Sequence, residues 1–510
     1  MANNQSPKRV VLITSCSVGG IGHYLALEFA KQGCEVYASA RNTSKLATNL
    51  SELGIKSLDF DVTKDESVNA AIAHIYRESG HIDILVNNAG QDKMGPVVET
   101  EISGVRQLSE SNFFSGVRMC QAVAPHMMDR RQGVIVNMGF SSGYTSLTWA
   151  SYYAESKAAL HSLSDTLRVE LALFNVKVVL VPGIIKSNID SAFNPERFLP
   201  ANSRYALAFK DIKRMSAFMV NQSTQRRVVL ITGCSAGGIG HYLALEFAKK
   251  GCKVYASARN TSKIDVSLQQ VHGIESVELD ITVDESVKAA VDRIIQESGH
   301  IDVLVNNAGQ SCVGPAVETE LLRVQQLFDS NFFGAVRLCQ AVSPYMMDRR
   351  QGTIVNVGSV GGYVASPWIG YYGATKAALH SISDSLRIEL SPFNVHVIVL
   401  APGTIKTNIV DSQNDEPLVP ENSRYNGAMD GIRAMAEFGK TSNPTPADQF
   451  ASHIVPRILA KRPSAYLTYG RLAMATWAMY YVPCAVRDYL FGRKFGTAKL
   501  ASELKAGLIA

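Results

Sequence analysis

Short β-branched runs alternate with helical patterns along this chain, and the whole alternation occurs twice. In the second half, Val228–Thr232 reads as a first strand, Gly238–Lys250 as a first helix and Val254–Ser257 as the next strand. Further strands are expected near Val277–Asp280, Val303–Asn306, Thr353–Val357 and Val395–Ala401. Strand–helix–strand units of this kind imply a parallel sheet. Fully apolar runs such as VVLIT and VIVL fit strands covered on both faces.

The repetition is visible by eye. RVVLITSCSVGGIGHYLALEFAKQGCEVYASARNTSK begins at Arg9, and RVVLITGCSAGGIGHYLALEFAKKGCKVYASARNTSK begins at Arg227. HIDILVNNAG at His81 matches HIDVLVNNAG at His300. So long a period means whole-domain copies. The expected fold is α/β, with two tandem Rossmann-type doubly wound parallel sheets: residues 1–221, residues 226–470, and a tail, 471–510. A polar stretch, Asn221 to Gln225, joins the copies. Copy 1 lacks a counterpart to Thr441–Ala510, where copy 2 is expected to add a helix (Ala447–Lys461) and a last strand (Ala465–Thr468). The sheet edge this leaves open predicts that copy 1 packs on copy 2 as an intramolecular pseudo-dimer, or that the chain forms a homo-oligomer.

Hydrophobic residues make up 46% and charged residues 19%, which suits globular domains with sizeable cores. The net charge of +5 is spread out, without the basic stripe that nucleic-acid binding requires. Six of the eight cysteines recur as matched pairs between the copies, and neither disulfide nor metal spacing is present, which suggests a reducing compartment. The polar start, Met1 to Arg9, lacks a signal-peptide core, so secretion is not expected. Leu472 to Val486 is almost wholly apolar, too short to span a bilayer comfortably, and contains Pro483. With Trp477, Tyr480, Tyr481 and Tyr489 nearby, it reads either as a buried C-terminal helix or as a peripheral membrane contact.

The loop Thr232–Gly240 (TGCSAGGIG) joins a strand to a helix. Gly233, Gly238 and Gly240, with Ile239, permit a tight turn and close backbone approach to a pyrophosphate at the helix N-terminus. Arg259 stands where an acidic residue would bind a ribose 2′-hydroxyl, so NADP(H) is favoured over NAD(H). Asp280 is placed to accept from the adenine amine, Asn307, Ala308 and Gly309 to pass close to a ribose, and Ile405 and Thr407 to contact the nicotinamide. Tyr372 and Lys376 lie four apart on one helix face, where an ammonium should lower the phenol pKa. Ser359 lies at the end of the fifth strand and Asn331 within or at the start of the preceding long helix.

This set of motifs resembles the short-chain dehydrogenase/reductase family over nearly all of both copies. The resemblance implies that Tyr372 delivers a proton to a carbonyl oxygen and that Lys376 holds the nicotinamide ribose and depresses the Tyr372 pKa. It implies that Ser359 orients the carbonyl and that Asn331 helps hold a water in a proton relay. Four residues separate Gly233 from Gly238, where the family usually has three. That loop, the Ala258-Arg259-Asn260 run and the aromatic tail are similar to the 1-acyldihydroxyacetone-phosphate reductase branch. The branch implies a lipid-linked ketone substrate and the cytoplasmic side of the endoplasmic reticulum or a lipid droplet. Steroid, retinoid or polyketide carbonyls are the other substrates in view.

Copy 1 retains Ile21, Arg41, Asp61, Asn88, Asn112, Tyr153 and Lys157, but has Ser15 at the Gly233 position and Phe140 at the Ser359 position. It is therefore expected to keep cofactor contacts with weak or no turnover. Ser15 is expected to crowd the phosphate. A rival reading takes Gly233–Gly237 as the G-x-S-x-G elbow of a lipid ester hydrolase, with Ser235 as nucleophile and His241 nearby. His161 and His380 read as helix-packing residues. Lys406, Arg424 and Arg433 read as solvated, or as contacts to a substrate phosphate.

Overall fold

The computed structural model describes residues 8–47, 50–145, 149–183, 203–204, 226–409 and 417–506. The polar joint 221–225 and the end of copy 1 lie outside them. The first sheet comprises β1 (Val10–Ile13), β2 (Glu35–Ala40), β3 (Lys56–Asp59), β4 (Ile84–Asn87), β5 (Gly133–Met138) and β6 (Val176–Val181). Its order is β3-β2-β1-β4-β5-β6, and every pairing is parallel. The second sheet comprises β7 (Val228–Ile231), β8 (Lys253–Ala258), β9 (Glu275–Glu278), β10 (Val303–Asn306), β11 (Gly352–Val357), β12 (Val395–Pro402) and β13 (Tyr466–Tyr469). It repeats the same order and adds β13 beyond β12, again in parallel.

Strand positions follow the sequence pattern within a residue or two. The third strand of copy 2 starts and ends two residues earlier than expected, so Asp280 sits in the turn beyond it. The helix after the glycine loop is Ile239–Lys249, and the helix before β13 is Ala447–Ile458.

The two copies share a core. One cluster of buried residues runs from Phe113, Phe114 and Leu163 of copy 1 to Phe328, Phe332 and Ile382 of copy 2. The ring of Phe328 lies 4.8 Å from Phe113 and 5.3 Å from Phe114. Long helices Ser151–Ala172 and Gly370–Leu390 pack together, and a pseudo-twofold relates their surroundings. Gln121 donates to Thr319 O (2.7 Å), while Gln340 donates to Thr100 O (2.7 Å). Arg424 pairs with Asp129 and Arg204 with Asp348. The open edge does not make this contact: β6 lies away from it, and Lys177 and Val179 on that strand are exposed. Helix faces join because they present broad apolar surface, whereas a strand edge presents mainly backbone polar groups.

The apolar tail segment is not one buried helix. Proline lacks an N–H and disfavours helix in the residue before it. At Pro483 the segment breaks into Ala473–Met479 and Cys484–Lys494. Met474, Trp477, Tyr481 and Tyr489 are exposed, Tyr481 by 69%. Farther on, Phe495, Leu500 and Leu504 return to the shared core. Among the described residues no helix is long and apolar enough to cross a membrane, and no cluster of side chains has metal-ligand geometry.

Candidate active site

The carboxyl edge of the second sheet gathers the predicted residues. Gly233 has φ +69°, a left-handed conformation, and an added Cβ there would stand 2.8 Å from Ala308 Cα. At Gly240 a Cβ would stand 2.5 Å from Gly233 O and 2.6 Å from Asn307 Nδ2. Helix Ile239–Lys249 starts at Gly238 without a side-chain cap, so its first N–H groups are left to an external acceptor. Asn307 does not reach outward. Its Nδ2 donates to Thr232 O (2.8 Å) and Gly233 O (3.1 Å), and the Asn307 and Ala308 N–H groups donate to Thr232 Oγ1 at 2.9 Å. Asn307 therefore ties the glycine loop to the end of β10.

Arg259 is exposed just past β8. Burial would raise the Asp280 carboxyl, but N–H and hydroxyl donors from Thr282, at 2.9 and 2.7 Å, and the nearby Arg259 hold it low. Thr407 is half-buried. Ile405 pairs with Thr445, and its side chain is buried in the core beside Gly470. Beside it, Asn408 donates to Ala236 O (3.2 Å), linking the segment after β12 to the glycine loop.

Tyr372 lies in the first turn of helix Gly370–Leu390, with Ser359 hydrogen-bonded to it. Ser359 Oγ also accepts the Gly361 N–H at 3.0 Å. Lys376 Nζ donates to Val357 O (2.9 Å) and lies 5.7 Å from the Tyr372 ring centre. The expected depression of the phenol pKa is not found. Burial drives it above the ordinary value, with Ser359 partly opposing, while burial also lowers Lys376 to about 8. Desolvation of the phenol outweighs an ammonium at that distance. Asn331 sits in a π-helical turn, Asp329–Phe333, between helices Leu321–Phe328 and Gly334–Arg349. Its Oδ1 accepts the Gln310 N–H (2.7 Å), and its Nδ2 donates to Gln310 O (2.8 Å) and Thr375 Oγ1 (3.1 Å). The side chain thereby braces the end of β10 against the helix bearing Tyr372.

His380 is more than a packing residue. Its Nε2 accepts the Ser359 N–H at 3.3 Å, and burial, then Lys376, lowers its pKa to about 3. A Cβ on Gly358 would fall 2.0 Å from this ring. The glycines at 358 and 362, two sequence positions that make room for an imidazole, were the available signal. Tyr371, beside Tyr372, accepts from Gln121 Nε2 of the other copy (3.4 Å) and donates to Ala316 O of its own copy (2.5 Å).

Copy 1 reproduces the frame. Asn112 accepts from Gln91 N–H (2.7 Å), and its Nδ2 donates to Gln91 O and Ser156 Oγ. Asn88 Nδ2 donates to Thr14 O and Ser15 O, and Lys157 Nζ to Met138 O (2.9 Å). Burial lowers Lys157 to about 8. Ile21 opens helix Ile21–Lys31. Arg41 and Asp61 line an open cleft with Ser17 and Lys45. The ring of Phe140 meets that of Tyr153 edge-on at 5.3 Å. Ser141 begins a 3-10 turn. Ser15 has φ +61°, a left-handed conformation that costs a non-glycine residue backbone strain.

The hydrolase arrangement does not assemble. His241 Nδ1 is buried without a partner, its ring stacks edge-on with Tyr242, and among the described residues no hydrogen bond joins it to Ser235. Arg424 is taken by Asp129 of copy 1 (2.7 and 2.8 Å), whereas Lys406 and Arg433 are exposed.

The chain is 37% identical over 267 residues to short-chain dehydrogenase ptmH of Penicillium ochrochloron, covering 52% of this chain and 96% of that protein. It is 33% identical over 293 residues to the NADPH-dependent 1-acyldihydroxyacetone phosphate reductase of Saccharomyces cerevisiae, covering 56% and 96%. Each relative thus spans about the length of one copy. The C-domain of a bacterial malonyl-CoA reductase, solved with NADP, shares the fold over 90% of this chain and 98% of its own (TM-score 0.64, 16% identity). The short chain dehydrogenase family model matches residues 9–197 and again 227–418. The chain belongs to the short-chain dehydrogenase family in both of its halves.

Proposed function

We propose that the C-terminal copy is an NADPH-dependent reductase of a ketone or aldehyde on a lipid-like substrate, such as 1-acyldihydroxyacetone phosphate. The observation that carries this reading is the meeting of Ser359, Tyr372 and Lys376 at the sheet edge that holds the glycine loop. That edge fits a dinucleotide: Gly233 is left-handed, the loop backbone packs too closely at 233 and 240 for any Cβ, and the helix N-terminus that the tight loop presents is uncapped. Gly233, Gly238, Ile239 and Gly240 would hold the pyrophosphate, and Arg259 the 2′-phosphate. Asp280 would take the adenine side. Ala308 and Gly309 would lie against a ribose, with Thr407 beside the nicotinamide. NADPH, when bound, supplies the hydride.

Tyr372 gives its proton to the carbonyl oxygen as the alkoxide forms. Its raised pKa keeps the proton on the phenol at neutral pH, which suits an acid in the reducing direction. Ser359 donates to the same oxygen and fixes its position. Lys376 holds the ribose and, when charged, favours the phenolate left after transfer. Asn331 and His380 hold the frame around these groups.

Copy 1 serves as the fixed partner of an intramolecular pseudo-dimer. The exposed Met474, Trp477, Tyr481 and Tyr489, with Arg493 and Lys494 beside them, would seat the enzyme on a lipid surface on the cytoplasmic side, such as the endoplasmic reticulum or a lipid droplet. The test is NADPH oxidation with 1-acyldihydroxyacetone phosphate against steroid and polyketide carbonyls, with and without anionic vesicles. Turnover with the acyl ketone, raised by vesicles and lost in Tyr372→Phe, is the expected result. Ester release without NADPH consumption would overturn it.

A further inference from the structure

Two buried glutamates cross between the copies. Glu170 of copy 1 is fully buried, and its Oε2 accepts the Ala316 N–H (2.7 Å) and its Oε1 the Trp368 N–H (2.9 Å) of copy 2. Trp368 has φ +70°, a left-handed conformation that a bulky residue adopts only when its surroundings impose it. It lies two residues before the helix Gly370–Leu390 and four before Tyr372. Its carbonyl accepts the Gly314 N–H (2.8 Å), and its indole Nε1 donates to Phe495 O (2.9 Å). The Tyr371 hydroxyl donates to Ala316 O, so the start of this helix also holds the Ala316 segment that Glu170 grips.

Glu389 makes the reciprocal contact from copy 2. It accepts the Val97 N–H (2.8 Å), the Ser151 hydroxyl (3.0 Å) and the Trp149 N–H. At the Ser151 position copy 2 has Gly370, where an added Cβ would fall 2.6 Å from Thr166 of copy 1. Hydroxyl support is therefore missing on the side of Glu170, whose two acceptor bonds go to backbone N–H groups alone.

We propose that Glu170, though in copy 1, is a positioning residue for the active site of copy 2, fixing the strained turn from which the helix bearing Tyr372 starts. This rests on the reading of Tyr372 as proton donor. Burial lifts the Glu170 carboxyl to about 8, opposed by these two N–H donors; the ionised form accepts both N–H groups, whereas a carboxamide accepts one and turns an NH2 towards the other. That loss shifts the first turn, and small misplacements of reacting groups lower the chemical step.

The experiment compares Glu170→Gln with Glu389→Gln in the full chain, using NADPH oxidation on a carbonyl substrate and thermal melting. Both exchanges remove one acceptor at pseudo-equivalent sites, so their stability losses should be similar. Glu170→Gln is expected to lower kcat about tenfold or more with KM for NADPH within about twofold. Glu389→Gln is expected to change kcat less than about twofold. Glu170→Asp, which keeps the carboxyl but shortens its reach, should follow Glu170→Gln. Equal loss of kcat in both Gln variants, or no loss in Glu170→Gln, would overturn the proposal. Insolubility of both Glu170 variants would mark a folding determinant and overturn it as well. Failure of the underlying reading is recognised separately, by turnover that survives Tyr372→Phe.

Discussion

Phe140 meets Tyr153 ring edge to ring face, 5.3 Å between centres and 75° between planes, where Ser359 hydrogen-bonds Tyr372 in the other copy. The same backbone frame thus carries a polar pair in one half and an apolar pair in the other. Phe140 can neither donate to a carbonyl oxygen nor leave its place to one.

Turnover should therefore depend on one tyrosine. Tyr372→Phe is expected to remove nearly all NADPH-dependent carbonyl reduction, while Tyr153→Phe leaves it within about twofold. Ser359→Ala removes one donor to the developing oxyanion and should cost about 10²–10³ in kcat. Steady-state assays of the three variants check the ranking, and major loss in Tyr153→Phe would reverse the roles of the copies.

Arg259 should govern the choice of dinucleotide. Arg259→Ala is expected to raise KM for NADPH about 10–100-fold, the value of one or two charge-assisted hydrogen bonds, and to leave the much weaker use of NADH unchanged. Equal effects on both dinucleotides would argue against contact with a 2′-phosphate.

Ser15 stores strain that glycine would release. It holds φ +61°, so Ser15→Gly should stabilise the protein by about 1 kcal/mol, seen as a higher melting temperature. The reverse exchange, Gly233→Ser, adds a Cβ within 2.8 Å of Ala308 Cα and should both destabilise the protein and weaken NADPH binding. Calorimetry and dinucleotide titration of the pair measure this.

A buried acid in copy 1 should make stability fall as pH rises. Burial lifts the Glu155 carboxyl to about 8, with the Ser109 hydroxyl its modest counterweight. The folded pKa thus lies above the unfolded one. The unfolded chain loses this proton near pH 4.5 while the folded chain keeps it, so Glu155 weakens the fold progressively between about pH 4.5 and 8. Copy 2 has Ala374 at this position. Denaturant melts of Glu155→Gln should show a gain over the parent that grows across that window. A gain independent of pH would assign the effect to packing instead.

The Ser359 turn should be sensitive to the imidazole behind it. Gly358→Ala places a methyl 2.0 Å from His380 Nε2, so the ring that accepts the Ser359 N–H must move. A fall in kcat larger than any fall in NADPH affinity is expected. Unchanged kcat would show that His380 only fills space.

The residue pattern by itself determined the duplicated α/β fold, the strand positions and the residue types that stand at the C-terminal edge. Apolar period, glycine spacing and the four-residue interval from Tyr372 to Lys376 are local properties, and local geometry turns them directly into strands, a tight turn and one helix face. What lies far apart in sequence needed the folded chain. Sequence spacing does not show that Glu170 meets Trp368, that Asp129 takes Arg424, or that Asn307 holds its own loop, because such contacts depend on how whole helices pack. Ionisation likewise belongs to the tertiary structure. The neighbouring lysine suggested a lowered phenol pKa, but burial, which only packing creates, set the opposite direction at Tyr372.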